Sequence, residues 1–173
     1  MSIASHCESS GGSTSGGTTS SLTVLSGLLQ RLHQAEHAGE PNDVYPSSAH
    51  DPAEKVLFVA MTRDNAVWRM PLMADGSVAK VGRFCSTFGA SGPDGMTMDS
   101  AGRLFVAHAS LGHVLVFAPN GEVIARIKSC AGPSCTNVAI GGANRDRLYI
   151  TESVTGTVLV ADISVLESSL RGA

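Results

Sequence analysis

Three residues that can donate a hard oxygen recur in similar settings along this chain: Asn42 in PNDV, Asp94 in PDGM and Asn137 in TNVA. Asp94 sits between Pro93 and Gly95. A carboxylate belongs there if the backbone is held still to aim it. Two amide oxygens and a carboxylate directed at one point suit Ca²⁺ or another hard divalent ion. Further along from each stand Met61, His108 and Glu152, each closing an apolar run. Of these, His108 and Glu152, with Asn137, are candidates to line a substrate pocket. Each residue also has a plainer reading. Asn and Asp cap turns and tolerate unusual backbone angles, and a strand-end His or Glu often serves a structural hydrogen bond. Recurrence at matching positions is what lifts the set above single turn residues.

Two other patterns do not carry chemistry. His33-Gln34-Ala35-Glu36-His37 matches the H-x-x-E-H of inverted zinc peptidases, but no second helical segment supplies a third ligand. Gly89, Gly92 and Gly95 precede a strand rather than a helix, so they form no phosphate loop. Composition narrows the classes further. A chain of 173 residues with 43% hydrophobic content and a net charge of −3 is globular and offers no basic patch for nucleic acid. No apolar run reaches the ~18 residues of a membrane span, and the first 20 residues lack the Lys or Arg of a secretory leader. The four cysteines are scattered (Cys7, Cys85, Cys130, Cys135). Cys130 and Cys135 could pair if oxidised, but the pattern reads as reduced thiols in a cytoplasmic protein.

The elements that would position these residues are short strands. RLFVAH and HVLVF read as strands in which every second residue is apolar. Three segments line up on Leu57, Leu104 and Leu148: KVLFVAMTRDNAVWRMPLMADGSV, GRLFVAHASLGHVLVFAPNGEV and DRLYITESVTGTVLVADISVL. A repeat of about 45 residues with several short strands per unit predicts β-propeller blades. Turns at Ala74-Asp75-Gly76 and Pro119-Asn120-Gly121 each lead to a fourth strand. Trp68, in an alternating strand, is expected to pack. The fold expected is therefore all-β: a partial propeller of about three four-stranded blades over 41–173. It follows a flexible Ser/Gly-rich tail (1–20) and an ambiguous lead-in (21–40). Closed propellers use 4–8 blades, so three must belong to a larger ring or complete one by self-association. The fragment is the preferred reading.

Residues WRMPLMADGSV, GPDGMTMDSAGRLFVAHASLGHVLVFAPNGEV, TNVAIGG and RLYITES together resemble the gluconolactonase/regucalcin-like family of six-bladed β-propellers. The resemblance spans 41–163, about the C-terminal half of a family member. It implies hydrolysis of sugar lactones or related esters with a divalent ion at the channel mouth, Ca²⁺ first, with Zn²⁺ or Mg²⁺ as other occupants. It also implies that Asp94, in the PDG motif, is a metal ligand and the acid/base, and that Asn42, in a PN motif, is a second ligand. YPSSAHDPAE, after Asn42, is longer than the family spacing. The Glu of the family's first-blade EGP motif has no counterpart, since Glu8 is followed by Ser9 and Ser10. A polarised lactone carbonyl attacked by base-activated water is the mechanism expected. The alternative is a truncated, non-catalytic propeller fragment acting as a calcium-binding or interaction module.

Overall fold

The computed structural model describes residues 56–166 except Gly76, together with the backbone of two short strands, β1 (Ser2–Ile3) and β2 (His50–Asp51). The remaining elements are β3 (Val56–Met61), a 3₁₀ turn at Thr62–Asp64, β4 (Ala66–Pro71), β5 (Gly82–Ser86), β6 (Pro93–Met98), β7 (Leu104–His108), β8 (His113–Phe117), β9 (Val123–Lys128), β10 (Cys135–Gly141), β11 (Arg147–Glu152) and β12 (Thr157–Asp162). They form three sheets, β2-β3-β4-β5, β1-β9-β8-β7-β6 and β10-β11-β12. Within each, sequence neighbours pair antiparallel. These are the blades of a partial propeller. Only β1 breaks the pattern, running parallel to β9 with Ser2 opposite Arg126 and Ile3 opposite Ile127.

Blade position explains the apolar pattern. Side chains alternate between the two faces of a strand. In the middle blade both faces meet a neighbour. Leu104, Val106, Leu115 and Phe117 pack toward the first blade with Val56, Phe58 and Ala60. Phe105, Ala107, Val114 and Val116 pack toward the last with Val138, Leu148, Ile150 and Leu159. All five positions of β7 are consequently buried, where period-two reading of RLFVAH expected one face only. β11 is the contrast: RLYITE alternates exposed and buried along its whole length, because only one face of the last blade is covered.

The turns follow their sequence signals. Asn120 Oδ1 accepts from the Glu122 amide at 3.1 Å, and Asp75 Oδ1 accepts from Ser77 at 2.9 Å. After the second of these the chain makes a Leu72–Val78 bridge before the fourth strand of its blade, β5, begins at Gly82. The last blade shows three strands rather than four among the described residues. Between β6 and β7, Asp99 accepts from the Ala101 and Arg103 amides at 2.9 Å and pairs with the Arg103 guanidinium.

The cysteine expectation needs correction. Cys130 is exposed and disulfide-bonded, whereas Cys85 and Cys135 are free thiols in the core. Cys130 and Cys135 are therefore not a pair. Cys135 lies with Phe105, Ala107 and Val138, facing away from solvent. Residues 21–40 and, apart from Ser2–Ile3, the 1–20 tail lie outside the described residues.

Candidate functional site

The site is built where two inner strands, β6 and β10, begin. Pro93 stands opposite His108, and pairing resumes with Met96 opposite Val106. One extra residue is therefore accommodated in the Asp94–Gly95 pair. Such a bulge bends the strand and re-aims a side chain. β10 carries a matching bulge, with Cys135 opposite Glu152 and then Asn137 opposite Thr151. Counting from the strand ends at His108 and Glu152, Thr136 occupies the Asp94 position and Asn137 the Gly95 position. Asn137 is thus one residue out of step with Asp94, because the repeat carries its bulge at a place that letters alone do not reveal.

Adjacent blades touch at this level. A Cβ on Gly95 would lie 2.6 Å from the Asn137 Cα and 2.1 Å from its Oδ1. Only glycine lets the two inner strands approach this closely. Asp94 is half-buried beside that contact, and burial raises its carboxyl above the ordinary 3.8. No hydrogen bond or ion pair engages its carboxylate among the described residues. Asn137 is exposed, with Oδ1 accepting from the Val138 amide at 2.8 Å. Next to it, the hydroxyls of Thr136 and Thr151 lie 2.9 Å apart. Sequence reading missed these two threonines, and only the bulge register singles them out.

His108 and Glu152 lie under this surface. His108 is fully enclosed, with Nδ1 accepting weakly from the Ser110 amide at 3.4 Å and Nε2 lacking a partner among the described residues. Burial lowers its pKa, the Phe88 carbonyl opposes that, and His113 adds to it, so the charged ring is disfavoured. Glu152 is equally enclosed, and its oxygens are saturated. Oε1 accepts from the Ser134 and Val154 amides at 3.0 and 3.1 Å, and Oε2 from the Thr155 amide at 2.7 Å and the Thr155 hydroxyl. The Thr155 hydroxyl first, then the three amides, hold the carboxyl down at about 2 against the opposing effect of burial. Gly132 completes this pocket, since a Cβ there would meet Oε1 at 2.5 Å. A chain of bonds runs from it to the rim: Ser134 Oγ donates to the Ala109 carbonyl at 3.1 Å, and the Ala109 amide donates to the Gly92 carbonyl at 3.3 Å. Gly92 is two residues from Asp94. Both side chains hold the rim from below; neither has an accessible face to offer a substrate.

Asn42 lies outside the described residues, and Met61 closes β3 packed against Leu57, Val59 and Met70. The described residues contain no group of three His, Cys, Asp or Glu side chains able to hold a metal. Among the described residues Asp94 is the one free carboxylate at the rim, with Asn137 Oδ1 and Glu152 already engaged. By themselves these residues do not make a dication site.

Three stacked antiparallel sheets, with an acidic residue on a bulge where inner strands meet, define part of a β-propeller. The chain belongs to the SMP-30/gluconolactonase/LRE-like family, whose profile matches residues 17–154. Among curated relatives it is similar to a 6-deoxy-6-sulfogluconolactonase of Pseudomonas putida, 33% identical over 134 residues, which are 73% of this chain and 45% of the relative. Among solved structures it is similar to the calcium-binding protein regucalcin of Agrobacterium tumefaciens (TM-score 0.58, 24% identity, 66% of this chain and 44% of that one). It is likewise similar to a gluconolactonase of Xanthomonas campestris (TM-score 0.57, 22% identity, 66% and 36%). The chain thus spans about 45% of the length of the curated relative it matches.

Proposed function

We propose that this chain carries the Asp94 half of a hydrolase that opens sugar lactones or related esters. The observation that carries the reading is the Asp94 carboxylate. It sits on a bulge where inner strands meet, is half-buried, has no partner among the described residues, and has a raised pKa. A carboxylate in that condition is a better base than an exposed one. Asp94 would take a proton from water as the water oxygen attacks the lactone carbonyl. The ring C–O bond then breaks, and the departing oxygen recovers a proton. The Asn137 amide and the Thr136 and Thr151 hydroxyls are the polar groups available beside Asp94 to meet a sugar's hydroxyls, with His108 and Glu152 holding the rim in shape.

The divalent ion, Ca²⁺ before Zn²⁺ or Mg²⁺, belongs to this proposal with Asp94 and Asn42 as its holders. No step above depends on it. Family membership supports the reaction class, and the small molecule is the expected partner, with self-association of the chain as the way to a closed ring.

The test is acid release from a sugar lactone, followed with a pH indicator. Wild type should exceed Asp94→Ala by roughly 10²–10⁴-fold, the usual worth of a positioned base. Equal rates would remove Asp94 from the chemistry. Calorimetric titration with CaCl₂ tests the ion separately: heat of binding should appear in wild type and vanish in Asp94→Ala.

A further inference from the structure

We propose that the seam between the first and middle blades holds a second binding site, for a phosphate monoester, at the end of the sheets away from Asp94. The seam encloses a cavity of about 430 Å³, a volume that suits a small molecule. Arg69, Lys80 and Arg83 line it, and no carboxylate does. Strand pairing fixes its place. β8 begins at the rim end with His113 opposite His108 and finishes with Phe117 opposite Leu104. The turn that follows carries Pro119 and Asn120, which form the middle-blade wall. In the first blade Met61 stands opposite Ala66 at the rim end, and Arg69 lies further down, opposite Gly82.

Local structure builds the walls. A register shift in the β4–β5 pairing leaves Phe84 as the extra residue of a bulge, and bulges re-aim side chains. The Phe84 ring packs edge-on to Phe58 at 4.9 Å and to Phe117 at 6.5 Å, which fixes it between the blades. Gly121 has φ of +88°, and a Cβ there would lie 2.5 Å from the Phe84 carbonyl oxygen. Glycine therefore lets the middle-blade turn seat directly on β5. The Ala79 amide donates to the Pro71 carbonyl at 3.1 Å, which places Lys80 beside Pro71. Across from Arg69, Gly82 leaves open space, since even a Cβ would meet nothing within 4 Å.

The donors suit a dianion. Lys80 is exposed and has no hydrogen-bond or ion-pair partner among the described residues. Asn120 Oδ1 accepts from the Glu122 amide, which leaves Nδ2 to donate. Arg83 is paired with Asp64, but those side chains are 48% and 43% exposed, and so exposed a pair holds weakly. Arg69 adds further positive charge. A lone carboxylate would balance one of these cations. A phosphate monoester carries close to two negative charges at neutral pH and takes several charged donors at once. Phe84, Pro71 and Pro119 offer apolar surface to the group that the phosphate esterifies.

Equilibrium dialysis of the full chain against phenyl phosphate, at low salt with EDTA, tests the site. The chelator removes any metal at the rim that could hold phosphate instead. One molecule should bind per chain. Inorganic phosphate should bind about tenfold more weakly or worse, because it leaves the Phe84 and proline surfaces unused. Asn120→Asp keeps the turn bond through Oδ1 and replaces the Nδ2 donor with a negative oxygen. Lys80→Glu reverses an exposed charge. Each should weaken phenyl phosphate about tenfold or more, whereas Asp94→Ala should bind it as wild type does. No binding to wild type, undiminished affinity in both charge variants, or loss of binding in Asp94→Ala would each overturn the proposal. Inorganic phosphate binding as tightly as phenyl phosphate would overturn the assignment to an ester. No lactone enters the experiment, so its outcome is independent of the hydrolase reading.

Discussion

Asp94 and Glu152 are both acidic residues near strand ends, and their surroundings push them in opposite directions. Asp94 is desolvated without compensation, so its charged form weakens the fold. Asp94→Asn should therefore raise Tm at pH 7, by about 1–3 °C, while activity is lost. The gain should shrink as pH falls through the folded-state pKa of Asp94, which lies above 3.8. Thermal melts of both proteins from pH 3 to 8 would check this; an unchanged or lowered Tm at pH 7 would contradict the desolvation account. Glu152 has the reverse sign. Its folded-state pKa of about 2 lies below the ordinary 4.5. Its stabilisation is therefore complete above pH 4.5 and lost as pH falls from there toward 2. Glu152→Gln should melt lower than wild type at pH 7, with the gap closing across that acid window. Both residues were legible as candidates because they recur at matching repeat positions, Asp94 with Asn42 and Asn137, and Glu152 with Met61 and His108. Which one is free and which is saturated was not, since the donors to Glu152 include Ser134, 18 residues away.

At the level of elements, the approach of β6 to β10 is the contact that makes the site. Gly95→Ala places a methyl 2.6 Å from the Asn137 backbone, so no side-chain movement can relieve it. Overpacking of this kind costs about 1–3 kcal/mol. The variant should unfold at lower denaturant with little change in m, and its lactone turnover should fall with it. Adding Asn137→Ala should not rescue either property, because the Cα remains; full rescue would mean that the side chain, not the strand spacing, is what matters. Strands and turns were largely readable, since Asp75 and Asn120 bond their own turns, an interaction written within two residues. Bulges were not. Nothing in TNVA indicates that Thr136 rather than Asn137 matches Asp94, because a bulge is counted against the partner strand.

For the whole molecule, the deciding quantity is how many faces of each blade are covered. The middle blade is enclosed on both, whereas the last presents Tyr149 and Val158, each 37% exposed, on the face opposite its core. If self-association completes the ring, static light scattering should find a species heavier than one chain, and Tyr149→Glu with Val158→Glu should reduce it to the monomer. A wild-type monomer with a cooperative unfolding transition would show that this face needs no cover. The sequence by itself determined the all-β class, the three repeated units, the family and the PDG loop. Each of these is carried by local alternation, turn chemistry or a contiguous motif. Only the tertiary structure decided that β7 is buried on both sides, that Asp94 is free while Glu152 is saturated, and that Cys130 is bonded while Cys135 is not. The physical reason is common to all three. Burial, hydrogen-bond saturation and disulfide pairing depend on what another strand brings to the same point, and sequence spacing does not record that meeting.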